Sequence, residues 1–247
     1  MGIQFSNQII PLPFRLVLKW LDGTRVEERL VTPAIRHAGI PVARIICFGE
    51  HVNYSHVPVS MLMTRMPGTE LYEDLWEWFE PEEKATIISE FKTCMDAYQP
   101  STLHGAVGED QHICSIVGTS IRSVRVPGSR IGLCRDEEEF NKTLIDPAGS
   151  SHVKVFPNYE RDLARAAKLH EKRHKIVFSH GDLSSCNILV THDGHLSAIL
   201  DWESAGWYPE YWDFTTACMF QKPGWFWYDI MMAGSLRNWT EKGRCVT

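Results

Sequence analysis

The most constraining feature of this chain is an Asp-Gly turn held between two short apolar runs. Asn187-Ile188-Leu189-Val190 and Leu196-Ser197-Ala198-Ile199-Leu200 flank His192-Asp193-Gly194. Asp-Gly in that setting is the strongest short-range signal for a β-hairpin. Antiparallel pairing would carry Asn187, which opens the first strand, to the side of Asp201, which follows the second. Just upstream, Lys175-Ile176-Val177-Phe178-Ser179 reads as a short buried strand that delivers Asp182 onto a loop.

One amide oxygen and two carboxylates gathered in this way suit metal-dependent phosphoryl transfer. Asp182 would orient a substrate hydroxyl and accept its proton. Asn187 and Asp201 would hold Mg²⁺ against nucleotide phosphates, a sparse all-oxygen site that this ion favours. A single Asp or Asn in a loop is ordinarily a turn former or a cap. The weight lies on the combination of His-Gly-Asp, four spacers, Asn, a hairpin and then Asp.

His180-x-Asp182-x₄-Asn187 with the later Asp201 resembles the aminoglycoside phosphotransferase and choline kinase-like family, a branch of the protein-kinase-like fold. Gly181 stands where protein kinases carry Arg, Asp201-Trp202-Glu203 stands where they carry Asp-Phe-Gly, and no Ala-Pro-Glu follows. The run from Asp201 to Trp212 is similar to fungal members in particular. The resemblance extends from about Leu12 to Tyr228 and is most specific over residues 179–213. It implies an α+β, two-lobe fold with a small, incomplete β-rich N-lobe over residues 1–66 and a mainly helical C-lobe over 67–247. Met66-Pro67-Gly68 would be the hinge, where adenine meets backbone. ATP and Mg²⁺ are the implied cofactors, and the acceptor would be a hydroxyl of a small molecule.

Other elements are read from periodicity and breakers. Strands are expected at 14–20, 42–48 and 59–65, with helices from a Thr24 cap to about Ala38, over 82–98, 136–146 and 158–173, and after Pro209. Residues 99–135 are rich in Gly and Ser, with short strands at 113–117 and 121–126. Lys19 ends an apolar strand, and the resemblance gives it the nucleotide phosphates; the other reading is a lysine snorkelling from an edge strand. Glu27 or Glu28 on the following helix would hold it, with Glu27 preferred. Only 18 residues precede Lys19, and Gly2 is the one glycine among them. A phosphate-covering hairpin needs two strands and a turn there, so the chain is expected to be a truncated gene model or isoform, or to have an incomplete nucleotide site. That departure keeps a second reading open, a catalytically impaired kinase-like binding or scaffold protein.

Glu203, Glu210 and Asp213 crowd the segment expected to face the acceptor, where they would attract a cationic or hydroxyl-rich substrate; helix capping and solvated surface are the alternatives. Trp202, Trp207, Tyr208, Tyr211 and Trp212 read as core and lobe packing rather than an aromatic cage. His170-Glu171-Lys172-Arg173-His174 matches the zinc-protease pattern H-E-x-x-H, but His174 would fall in the last turn of its helix among basic neighbours.

Composition removes several other classes. With 25 basic and 31 acidic residues the net charge is −6, without the basic footprint of a general nucleic-acid binder. The seven cysteines are scattered without a Cys-x-x-Cys pair, which suits reduced thiols in a cytoplasmic protein. No signal peptide or 18-residue apolar run is visible, so no membrane is expected. Met1–Ser6 fits a myristoylation pattern, but no polybasic patch follows it. No obligate protein partner is evident. At 44% hydrophobic, the 247 residues suffice for one globular unit, bilobal or not.

Overall fold

The structure, a computed structural model, describes residues 9–20, 26–50, 59–98, 112–123, 125, 130–146, 157–168, 173–219 and 223–234. The Thr24 cap, the Met1–Ser6 pattern, Cys245, and His170 and Glu171 of the H-E-x-x-H run lie outside the described residues.

The beginning of the chain is strand-rich. β1 (Ile9–Leu12) and β2 (Leu16–Lys19) pair antiparallel, α1 (Val26–His37) follows, and β3 (Ile45–Glu50) and β4 (Val59–Thr64) complete a four-stranded sheet in the order β1-β2-β4-β3. β2 is therefore a central strand, and Lys19 at its end is 5% exposed. This excludes the snorkelling edge-strand reading. Among the described residues β1 is the one strand before it. In α1, Glu27 and Glu28 occupy the first turn and Arg36 and His37 the last, the charge order that the helix dipole favours. Its buried residues Glu28, Val31, Thr32 and Ile35 recur at helical spacing on one face. That face packs on residues 202–204 as well as on β3.

The break at Met66-Pro67-Gly68 is tied down from the far part of the chain. Gly68 has φ +97°, and a Cβ there would come 2.5 Å from the Val190 carbonyl oxygen; Ser197 donates its hydroxyl to the Pro67 carbonyl at 2.7 Å. β5 (Thr69–Glu70), α2 (Glu73–Trp78) and α3 (Pro81–Tyr98) follow. In α3 the buried Ile87, Phe91, Cys94, Met95 and Tyr98 form the apolar side expected from the sequence, with Ile88 only partly covered. Among its described residues the Gly- and Ser-rich stretch yields two-residue strands, β6 (Cys114–Ser115), β7 (Ile121–Arg122) and β8 (Arg130–Ile131), before α4 (Glu137–Ile145) and α5 (Tyr159–Ala167).

β9 (Ile176–Ser179) leads to the expected hairpin of β10 (Ile188–Val190) and β11 (Leu196–Ile199), paired antiparallel with Ile188 opposite Ile199. β12 (Gly206–Pro209), α6 (Trp212–Ala217) and α7 (Phe226–Gly234) complete the described chain. β5 adds to the hairpin in the order β11-β10-β5, β12 joins β6 to β9, and β7 pairs with β8. β5 and β12 were not foreseen, because each is short and defined by its partners rather than by a local alternation.

One buried cluster runs from Val31 and Ile35 of α1 through Phe91 and Phe178 to Ile188, Ile199, Trp202 and Trp227; a smaller one holds Ile113, Phe140, Tyr208 and Trp212. Trp202 stacks on Phe178 with centroids 6.5 Å apart, and Tyr208 stacks on Trp212 at 5.3 Å. These aromatic side chains are core. His174 lies in the extended segment before β9 rather than on a helix, and its Nδ1 is 2.6 Å from Glu137 Oε1. That removes the second histidine from a helical zinc motif.

Candidate active site

The loop after β9 is built from a buried histidine, a glycine that nothing else can replace, and a half-buried aspartate. Gly181 has φ +87°, and a Cβ there would lie 2.2 Å from the Ser204 carbonyl oxygen. The His-Gly-Asp wording follows from this close approach. His180 is fully buried; its Nε2 is 2.8 Å from the Leu200 carbonyl, which makes Nε2 the protonated nitrogen. Nδ1 accepts from the Asp182 N–H at 3.3 Å. His180 thus ties the Asp182 loop to the segment that carries Asp201.

Beneath the loop, Asp213 is 1% exposed and accepts from the backbone N–H groups of His180 at 2.9 Å and Gly181 at 2.8 Å, and from the Tyr98 hydroxyl at 2.8 Å. The expectation that Asp213 faces the acceptor is therefore corrected. It is a buried brace, and three donors occupy most of its acceptor sites. Burial, followed by the Asp213 charge, pushes the Tyr98 phenol well above its ordinary value and keeps it a donor. Glu210 sits in the turn after β12, where its N–H donates to Lys175 O at 2.8 Å, and it lines neither recess described below. Its assignment to substrate is not supported by this placement.

Asn187 donates its Nδ2 to the Asp182 carbonyl at 3.0 Å, and its Oδ1 meets only the weak Cys186 thiol donor at 3.9 Å, which a cation could displace. Leu200 N–H donates to Asn187 O at 2.8 Å, so the hairpin does bring the Asn187 and Asp201 ends together. Asp201 takes a left-handed conformation, φ 64° and ψ 56°, uncommon for a residue with a side chain. That turn directs its carboxylate to Lys19.

Lys19 is the hub of the opposite wall. Its Nζ lies 2.7 Å from Glu28 Oε2 and 3.7 Å from Glu203 Oε2, and it donates to Asp201 Oδ1. Glu28, not Glu27, is the partner on α1. Glu28 belongs to the buried 28-31-32-35 face, whereas Glu27 lies one residue, about 100°, round the helix. Sequence alone could not choose between them, although the spacing of Val31 and Ile35 carried the signal. Burial by itself would lower the Lys19 ammonium pKa, but the Glu28, Asp201 and Glu203 carboxylates outweigh it and raise it well above the ordinary value. Burial raises Glu28, with Lys19 opposing. Burial and then Asp201 push Glu203 up to about 7. Asp182 is also raised, by burial first, with His180 opposing and Asp201 adding.

Single carboxylate oxygens of Glu28, Asp201 and Glu203 lie within 4.8 Å of one another. With Asp182, four carboxylates stand here against the two cations Lys19 and Arg122, whose Nη1 is 3.1 Å from Glu203 Oε1. Surplus negative charge and the Asn187 amide oxygen, all hard donors, fit Mg²⁺.

Two recesses flank the turn from Asp201 to Ser204 and share no lining residue. The larger, about 300 Å³, is mostly apolar, with Ile9, Val17, Met63 and Leu189 in its walls, Thr64–Met66 along its rim, and Lys19, Glu28, Asn187 and Asp201 at its polar end. The smaller, about 70 Å³, is lined by Glu27, Ser115, Thr119, Arg122, Arg130 and Glu203, among others. Glu203 is thus the one residue of the Glu203, Glu210 and Asp213 group that reaches both the charged centre and a recess.

The comparisons with known proteins agree with this geometry. A phosphotransferase enzyme family matches residues 125–242. No curated protein sequence matches the chain. Among solved structures, a thermostable mutant of aminoglycoside phosphotransferase APH(4)-Ia in its apo form superposes with a TM-score of 0.60 at 16% identity, covering 98% of this chain and 78% of that one. The GDP and kanamycin complex of APH(2")-IIIa gives a TM-score of 0.66 at 14% identity, over 95% of this chain and 75% of that one. The GDP complex of wild-type aminoglycoside 2'-phosphotransferase-IIIa gives 0.67 at 14% identity, with 95% and 75% covered. Residues 125–242 thus resemble a phosphotransferase enzyme family by sequence, and the chain has the protein-kinase-like fold of the aminoglycoside phosphotransferases.

Proposed function

We propose that this chain is an ATP- and Mg²⁺-dependent phosphotransferase that acts on a hydroxyl of a small molecule. The observation that carries this reading is the convergence of the Lys19–Glu28 pair with Asp201 and Asn187 at the polar end of an apolar cleft. In this reading the nucleotide base lies among Val17, Met63 and Leu189, with the backbone at Thr64–Met66 beside it. Residues 1–66 then form the nucleotide-side lobe and 67–247 the lobe that carries the catalytic loop. Solved structures of the same fold include complexes with ADP and hygromycin B and with GDP and kanamycin, which supports a nucleotide and an alcohol acceptor here.

Each residue has a distinct task. Lys19 binds phosphate oxygens and is kept charged by its carboxylate neighbours. Asn187 Oδ1 and Asp201 would hold Mg²⁺, which would supply positive charge to offset that of the phosphates. Asp182 orients the acceptor hydroxyl and takes its proton; burial strengthens it as a base by raising its pKa. His180 and Asp213 fix the loop and act only through Asp182. A cytoplasmic location fits the cysteines, since none of the six described is in a disulfide.

Calorimetric titration of ATP with Mg²⁺ and with EDTA, followed by an ADP-release screen of hydroxylated small molecules, tests the proposal. Metal-dependent binding with turnover on some alcohol is the expected result. Metal-dependent binding with no turnover on any alcohol would favour the scaffold reading, and no ATP binding at all would overturn the nucleotide site.

A further inference from the structure

The smaller recess is a second polar cavity beside the reacting centre, and its lining has a definite chemistry. Its walls come from four separate places: Glu27 on α1, Ser115, Thr119 and Ser120 around the β6–β7 turn, Arg122 and Arg130 on the β7–β8 pair, and Glu203 and Ser204 after Asp201. It adjoins the catalytic loop directly, because the Ser204 carbonyl is the atom against which Gly181 is packed. The Arg122 guanidinium is also close enough to Asp182 to lower its pKa against the effect of burial.

The charges in the recess are not equally committed. Arg122 is held by Glu203 at 3.1 Å, and Glu203 also faces Lys19. Ser115 and Thr119 share a hydrogen bond of 2.9 Å between their hydroxyls. Arg130 has no ion-pair or hydrogen-bond partner among the described residues, and it stands exposed at the rim. Guanidinium groups recognise carboxylate and phosphate through paired N–H donors, a geometry that an ammonium does not offer. One committed and one uncommitted guanidinium, with three hydroxyls between them, make a receptor for an anionic group attached to an alcohol.

Resting on the phosphotransferase reading above, we propose that this recess is the acceptor site, and that it takes a small hydroxylated molecule carrying a carboxylate or a phosphate. The anionic group lies between Arg130 and Arg122, with Ser120 and Thr119 at its other oxygens, and the alcohol points to Asp182. A recess of about 70 Å³ enclosed on four sides also selects for size, and a polycationic molecule of several rings meets two guanidinium groups there.

The test is direct binding, so that it does not depend on turnover. Glycerate and glycerol 3-phosphate are titrated calorimetrically against the full chain, beside glycerol as the neutral parent and kanamycin as the polycation. At least one of the two anions should bind at least tenfold more tightly than both glycerol and kanamycin, and the carboxylate and phosphate arms identify which anionic group the site prefers. Arg130→Ala should remove that preference, and Arg130→Lys should restore only part of it, because charge returns without the paired donors. Thermal melts of both variants report folding separately; Arg130 is exposed, so their midpoints should stay near wild type. Equal or tighter binding of kanamycin or glycerol, or an anion preference unchanged in Arg130→Ala, would overturn the proposal. An ATP titration with Mg²⁺ on the same protein separates the two readings. Failure there with anion selectivity intact removes the nucleotide reading and the acceptor role with it, leaving an anion-binding recess, and ATP binding without anion selectivity removes this proposal alone.

Discussion

The two recesses on either side of the Asp201–Ser204 turn are close neighbours with opposite chemistry. One is large and mostly apolar and meets charge at its end; the other is small and gathers hydroxyl, guanidinium and carboxylate side chains over a lining that is about half polar. Adjacent residues supply the two: Glu28 faces the first and Glu27 the second, while Asp201 and Trp202 line the first and Glu203 and Ser204 the second. A helix turn of about 100° per residue is enough to divide neighbouring carboxylates between the two recesses. The Asp201–Ser204 turn is thus a partition only a few residues long, with Lys19 on one side and Arg122 on the other.

The largest effect expected tests whether Asp182 serves transfer rather than either recess. Asp182→Asn should lower turnover by about 10²- to 10⁴-fold, the range for loss of a positioned general base, with ATP affinity nearly unchanged. Equal turnover on a verified acceptor would remove Asp182 from the mechanism. Asp201→Ala belongs to the nucleotide side. It should weaken ATP binding in Mg²⁺ by up to about 100-fold, the scale of lost metal support, and make the EDTA and Mg²⁺ isotherms coincide. A variant that keeps its metal dependence would place the ion elsewhere.

Asp213→Ala should damage both sides together, because the brace lies beneath the loop. It strands two backbone N–H groups and a tyrosine hydroxyl, and at about 1 kcal/mol each the loss of stability is about 3 kcal/mol. Denaturant unfolding measures it, and a change below about 1 kcal/mol would mean that the loop holds itself.

The partition should also show in pH. The Glu203 carboxyl, raised to about 7 by burial first and Asp201 second, holds its proton in the folded chain after the unfolded chain has released it. Stability is therefore highest below the ordinary carboxylate range and falls as pH rises toward 7, by an amount on the order of 2 kcal/mol. Glu203→Gln should flatten the fall in thermal melts recorded between pH 5 and 7.5; identical slopes would refute the assignment. The smallest contrast sharpens the comparison most. Glu28→Gln should weaken ATP binding about tenfold by loosening Lys19, roughly 1.4 kcal/mol, whereas Glu27→Gln should leave ATP binding alone and act on the acceptor. Equal effects of both on ATP would erase the boundary between the recesses.

What was legible in the sequence was local. The β10–β11 hairpin, the Asp182 loop and the meeting of Asn187 with Asp201 follow from an Asp-Gly turn and two apolar runs, all within about two dozen residues. The α3 helix and the aromatic core at 202–212 were likewise written in spacing and residue type. Only tertiary structure chose Glu28 over Glu27, because the choice depends on which face of α1 the distant 202–204 turn covers. Only tertiary structure turned Asp213 from a surface acid into a buried brace, since its donors are 32, 33 and 115 residues away. The acceptor-side recess is likewise the product of four segments that no local pattern relates. Turn and strand preferences act between neighbours along the chain, whereas the direction a charged side chain faces is decided by what the folded chain leaves beside it.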